Sequence, residues 1–354
     1  RHIIVPPAQA MFLLWLGAPL AATDALSSAE ALWRAGAGQL WFQHMRRAGG
    51  TMMCREMLNH IDDIDWARGR SHVREDLERW GCLNPWWEMQ NILSFVGGAP
   101  AISEVLNVNG SFNSVAQEYG PLPAVYDAEY ADWVFVTSLR NPWARLLSQV
   151  QHEMWPCCTS VQVFQQCVRG QHREVWWAAD NHPDTILGIP PHRISDTPSV
   201  FFDNYYTRVL SGKTWAENVG PEDVKTALLA LRRVSVILVL EEVALTHWQF
   251  VCSLGIRILK SPKRHNTWSA HQGTEHSETV KKVCGIVSEA SRSEFAQRNV
   301  LDEQVYTAGR ALAIERVAAC AREPPSHLTA WEVQEMREVV VPELELLRKA
   351  IQHV

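Results

Sequence analysis

The chain has 354 residues, enough for one large α/β domain or two smaller ones with a substantial core. Hydrophobic residues make up 47% and charged residues 20%, which excludes an intrinsically disordered chain. The formal net charge of −6 argues against a broad nucleic-acid-binding surface but leaves room for a local basic pocket. The sixteen tryptophans are read chiefly as core and rim aromatics, although flat indole faces also line sugar-binding clefts.

In chain order, residues 1–10 precede the first methionine, which reads as a chain lacking its start. Residues 11–22 are apolar (MFLLWLGAPLAA) and shorter than the ~20 residues a bilayer span needs. Their apolar run and small-residue end resemble a secretory signal peptide. Residues 1–37 are therefore expected to be a signal-like segment or the remnant of a membrane anchor lying upstream.

Leu40-Trp41-Phe42-Gln43 reads as a short apolar strand. His44, Met45, Arg46, Arg47, Ala48, Gly49 and Gly50 form the loop after it, and Thr51 and Met52 open a helix running to about residue 60. Glycines let the backbone approach a ligand closely. A helix N-terminus offers unpaired N–H groups to an anion. Two arginines add fork-shaped donors for phosphate-like oxygens. An ordinary strand-to-helix turn with solvated arginines would carry the same residues.

Asp62, Asp63 and Asp65 lack the spacing of a calcium loop and fit a solvated helix start better. Asn109-Gly110-Ser111 is an N-glycosylation sequon, meaningful only in a lumenal chain. A second strand is predicted over 112–118, ending at Glu118. A third, Trp133–Leu139, is a continuous apolar run of the kind buried in a parallel sheet. It leads into Arg140-Asn141-Pro142, in which Asn141 suits an N-cap and Pro142 a first helical residue. Arg140 would then stand at the C-terminal edge of the sheet, where α/β folds bind ligands, with Ser148 two turns into the helix.

Residues 153–200 read as a substrate-side insertion. Helices are predicted over 202–212, 221–232, 289–317 and 326–353, the last kinked at Pro342. Another buried strand is predicted over 234–240. Such alternation predicts a central parallel sheet flanked by helices, a three-layer α/β fold. None of the eight cysteines forms a CxxC pair or a zinc-like cluster with histidine. Cys157 or Cys158 with Cys167 is the most local disulfide candidate.

The opening loop resembles the His-Ile-Pro-Lys-Thr-Gly-Gly-Thr motif of the Golgi carbohydrate sulfotransferases, the heparan and chondroitin sulfate type. Arg140 to Ser148 resembles that family's Arg-Asp-Pro-(Tyr/Phe)-x-Arg-Leu-Leu-Ser element. Phe295 to Tyr306 resembles its Asn-x-x-Asp-x-x-Leu-Tyr stretch. The likeness runs over residues 38–318, thin between motifs, with 319–354 as a C-terminal helical extension.

The resemblance implies a P-loop-like fold and a co-substrate, 3′-phosphoadenosine 5′-phosphosulfate (PAPS). Arg46 to Met52 would hold its 5′-phosphosulfate, and Arg140 and Ser148 its 3′-phosphate. The acceptor would be a glycan or another hydroxyl compound, the compartment the Golgi lumen or membrane, and no metal would be required. Glu118 is the expected general base, with His44, Glu104 and His152 behind it. Asn204, Arg208 and Asn266 are assigned to the acceptor or adenine side.

Arg47 stands where the family has lysine, which keeps the charge but changes reach and geometry. Two other readings follow from the same sequence. One is a glycan-binding relative without turnover. The other is a kinase-like phosphotransferase, disfavoured because Gly-x-x-x-x-Gly-Lys-(Ser/Thr) is absent.

Overall fold

The computed structural model describes residues 23–35, 38–45, 48–49, 114–117, 122, 125, 128–153, 157, 160–169, 203–213, 217–257 and 291–352. Four strands form one parallel sheet: β1 (Gln39–Gln43), β2 (Ser114–Gln117), β3 (Trp133–Leu139) and β4 (Val234–Val239). Their spatial order is β2-β1-β3-β4. β1, β3 and β4 match the predicted apolar runs, because a strand covered on both faces needs continuous hydrophobicity rather than alternation, and β2 falls within the strand predicted over 112–118.

Side chains of alternate residues enter two separate cores. Trp41, Phe135, Leu139, Ile237 and Val239 belong to the larger one. Leu40, Phe42, Val134, Val136, Val236 and Leu238 belong to the smaller. Ser235 is the extra residue of an irregularity opposite Phe135 and Val136, which restores the alternation along β4.

The smaller core is closed by α1 (Thr23–Arg34), through Ala29 and Trp33, and by the π-turn Phe250–Leu254. The larger core is closed by α4 (Tyr205–Leu210), α5 (Pro221–Arg233), α6 (Val243–Gln249), α7 (Val300–Arg322) and α8 (Ala330–Gln352). Helices α2 (Pro142–Glu153) and α3 (Val161–Val168) follow β3 in the chain. Both faces of the sheet therefore carry helices. The core also runs through both expected boundaries: α1 precedes residue 38, and Met336 and Val340 of α8 lie beyond residue 318.

Helix α7 crosses the sheet very closely. A Cβ at Gly309 would lie 2.3 Å from Leu139 Cδ1, so any larger residue would have to push the Leu139 side chain aside. Strand β4 borders the sheet, and polar side chains satisfy its outer backbone. Gln249 accepts from the Ile237 N–H at 3.0 Å and donates to the Ile237 carbonyl at 2.8 Å. Thr246 Oγ1 accepts from the Val239 N–H at 3.2 Å. An edge blocked in this way cannot template another strand.

Cys157 pairs with Cys167, one of the two local options, and Cys252 pairs with Cys320 across 68 residues. The latter joins the π-turn to α7, and closing so long a loop chiefly restricts the unfolded chain. Among the described residues no helix is long and apolar enough to cross a membrane.

A reciprocal cap starts α8. Thr329 Oγ1 accepts from the Glu332 N–H at 3.2 Å, and Glu332 Oε2 accepts from the Thr329 N–H at 2.9 Å. Arg257 pairs with the same carboxylate at 2.7 Å. The Arg257 hydrogen bond is the main cause that holds the Glu332 carboxyl down at about 2. A depressed carboxylate stabilises the fold above its ordinary value and loses that contribution as pH falls towards its folded one. Glu332→Gln is expected to lower stability at pH 7 by ~1 kcal/mol. The difference from wild type should shrink between about pH 4.5 and pH 2, as followed by denaturant unfolding at each pH.

Candidate functional site

The strand order reverses direction at β1. From β1 the chain reaches β2 on one side, then returns to β3 on the other and continues outward to β4. β1 and β3 therefore lie side by side at the reversal, and the loops leaving them both start at the C-terminal edge of the sheet, the place where open α/β sheets bind ligands. His44 follows β1 directly, and Arg140 follows β3 directly.

After β1 the chain turns sharply, with the Ala48 N–H donating to the Met45 carbonyl at 3.0 Å. Met45 and Ala48 are fully buried and anchor the turn. Gly49 has φ +94°, and a Cβ there would lie 2.8 Å from Leu240 Cδ1. The positive φ favours glycine, and a side chain would also have to displace the end of Leu240. These facts also show where the loop goes: it reaches past the end of β3 to the leucines at the end of β4. His44 is half-buried, its ring stacked on Phe42 with centroids 5.7 Å apart and planes at 12°. Arg46, Arg47, Gly50, Thr51, Met52 and Glu118 lie outside the described residues, as do Glu104, Asn266 and the Asn109 sequon. The backbone of His152 is helical in α2, and its side chain is outside the described set.

The loop after β3 is tied down from several directions. The Arg140 N–H donates to Tyr206 Oη at 3.0 Å, and the same hydroxyl donates to the Arg140 carbonyl at 2.8 Å. The Asn141 N–H donates to Glu241 Oε1 at 2.9 Å, and Tyr306 Oη donates to Glu241 Oε2 at 3.2 Å. Asn141 caps α2 as its sequence suggested, its Oδ1 accepting from the Ala144 N–H at 3.1 Å. The N–H groups of Arg140 and Asn141 are thus both used within the protein. An anion at this loop cannot draw on those two N–H groups. Arg140 lies half-buried at this edge, and Ser148 half-buried further along α2. Burial lowers the Arg140 pKa and the neighbouring Glu241 raises it; an arginine stays charged throughout.

Arg145 does not join Arg140 at the edge. It is fully buried, with Cζ 4.5 Å from the Tyr205 ring centroid and 5.6 Å from that of Tyr206. Asp302, also fully buried, accepts from the Tyr206 N–H at 3.1 Å, the Thr207 N–H at 2.9 Å and Thr207 Oγ1 at 3.0 Å. Burial raises the Asp302 pKa, while these donors and Arg145 pull it back.

Asn204 and Arg208 require a correction. Asn204 is buried, with φ 47°. Its Oδ1 accepts from the Leu301 and Asp302 N–H groups at 3.2 and 3.3 Å, and its own N–H donates to Asn299 Oδ1 at 2.8 Å. Helices α4 and α7 therefore meet N-terminus to N-terminus, each capped by a side chain from the other segment. Arg208 is buried and donates from Nη1 to the Glu217 carbonyl. Both residues are buried and bonded to neighbouring segments, in place of the acceptor- or adenine-side role expected from sequence.

Tyr206 and Glu241 were not singled out by sequence reasoning. A tyrosine beside another in a short helix reads as core, and a carboxylate pair after a strand reads as solvated. Only the folded chain brings both to the Arg140 loop.

A scan against models of protein families finds no match, and searches of curated proteins and of solved structures find no similar protein either.

Proposed function

We propose that this chain is a PAPS-dependent sulfotransferase that moves a sulfuryl group to a hydroxyl of a carbohydrate acceptor, in a three-layer P-loop-like fold. The observation that carries this reading is the meeting of two loops at one sheet edge. The Gly49 turn rests on Leu240, whose N–H donates to the Leu139 carbonyl at 2.9 Å, immediately before Arg140. A donor with phosphate groups at two separated positions suits two such loops.

In this reading Arg46, Arg47, Ala48, Gly49, Gly50, Thr51 and Met52 surround the 5′-phosphosulfate, and Arg140 and Ser148 hold the 3′-phosphate. Glu118 takes the acceptor proton, with His44 as the alternative. The acceptor oxygen attacks sulfur in line as the sulfur–bridging-oxygen bond breaks. The leaving group is 3′-phosphoadenosine 5′-phosphate, and Arg47 meets the charge growing on its departing oxygen. Charge neutralisation falls to arginines, so the reading invokes no metal. Two disulfides among the described residues support an oxidising, secretory compartment such as the Golgi, with the anchor, if the chain has one, upstream.

The test is transfer of radiolabelled sulfate from PAPS onto a panel of glycans, with Glu118→Gln beside the wild type. Labelled product is expected from the wild type, with a loss of roughly 10²–10⁴-fold in the variant. Glycan binding without turnover would replace the reading with a binding protein, and magnesium-dependent ATP turnover would replace it with a kinase. Equal turnover by Glu118→Gln would remove the base assignment alone.

A further inference from the structure

The Arg140 main chain is held on both sides by one hydroxyl. Tyr206 Oη accepts from its N–H at 3.0 Å and donates to its carbonyl at 2.8 Å. One atom thus fixes the two peptide planes that set the direction of the Arg140 side chain. Tyr206 is itself immobile: it is fully buried, Asp302 fixes its N–H at 3.1 Å, and the Arg145 guanidinium lies 5.6 Å from its ring. Asp302 in turn sits in the N-terminal turn of α7, locked there by Asn204. A rigid path therefore runs from α7 through Asp302 and Tyr206 to the backbone of Arg140. Burial pushes the Tyr206 phenol pKa upward, so the hydroxyl keeps its proton and both bonds at any working pH.

The Arg140 and Asn141 N–H groups are already used internally, so an anion beside Arg140 is met by its guanidinium, and the direction of that group matters. A fork held in advance loses little freedom on binding. We infer that Tyr206 is a positioning residue that aims Arg140 and thereby sets the preference for nucleotides carrying a 3′-phosphate over those lacking one. The inference rests on the sulfotransferase reading for its ligand. It assigns Tyr206 no contact with that ligand.

The experiment compares 3′-phosphoadenosine 5′-phosphate with AMP, which lacks the 3′-phosphate, by calorimetric titration of wild type, Tyr206→Phe, Arg140→Ala and the double variant. Wild type should prefer the 3′-phosphorylated nucleotide. Tyr206→Phe should reduce that preference roughly tenfold, the equivalent of one net hydrogen bond, with AMP affinity unchanged. In the Arg140→Ala background the same substitution should change nothing further, a non-additivity that a merely structural tyrosine would not show.

An unchanged preference in Tyr206→Phe, with wild type still selective, overturns the inference and spares the sulfotransferase reading. A wild type that binds neither nucleotide overturns both. Should Tyr206→Phe fail to fold, amide exchange on the wild type decides. The Arg140 and Asn141 amides should be protected before nucleotide is added. Protection appearing only on binding would mean that the loop is not held in advance.

Discussion

Asp302→Ala is expected to lower stability by about 3–5 kcal/mol, enough to unfold many domains of this size at body temperature. The carboxylate receives three hydrogen bonds at the start of α4, and its removal leaves those buried donors without their acceptor. It also lies near enough to the buried Arg145 for the guanidinium to pull the carboxyl pKa down, an attraction the substitution removes. Losing one member of a buried charged pair costs far more than the pair contributes net. Asp302→Asn keeps the shape and one acceptor oxygen, so its loss should be the smaller of the two. Urea unfolding followed by tryptophan fluorescence measures both. A change below about 1 kcal/mol for the alanine variant would show that the α4–α7 junction is not held as described.

The second large effect concerns binding. Arg140→Ala should weaken 3′-phosphoadenosine 5′-phosphate by roughly 10–100-fold while leaving the fold intact. A charge-assisted bond from a guanidinium contributes about 1.5–3 kcal/mol, and the loop offers no backbone N–H at Arg140 or Asn141 to replace it. Removing the side chain leaves the Tyr206 bonds in place, since they engage only the main chain. The thermal midpoint without nucleotide should therefore hold within about 2 °C, and the upward shift on adding nucleotide should collapse. An undiminished shift would move the 3′-phosphate away from Arg140. Lysine at the same place keeps the charge but not the fork and should recover only part of the loss.

The elements that survive from sequence to structure share one property: their signal is local. Trp133–Leu139 and Val234–Val239 are unbroken apolar runs, and Asn141-Pro142 is a cap followed by a rigid first turn. Gly49 reads in sequence as a point of close backbone approach; the structure shows in addition a φ of +94°, a conformation open to few other residues. The Asn204 and Arg208 assignments failed for the opposite reason. Polar side chains in a short helix look the same in sequence whether they meet a ligand or a neighbouring helix end. For Asn204 the neighbour is the N-terminus of α7, almost a hundred residues away in the chain; for Arg208 it is the Glu217 carbonyl.

Composition, apolar period and turn chemistry by themselves determined that this chain builds a parallel sheet covered by helices, with basic loops after two of its strands. Those are preferences of single residues and short segments, and the chain carries them wherever it folds. Tertiary structure alone decided that β1 and β3 lie side by side at the reversal of strand order, that Gly49 rests on Leu240, and that Tyr206, Glu241 and Asp302 converge beneath Arg140. Each depends on burying apolar surface and satisfying buried polar groups among residues far apart in the chain, and a pattern read over a dozen residues does not contain it.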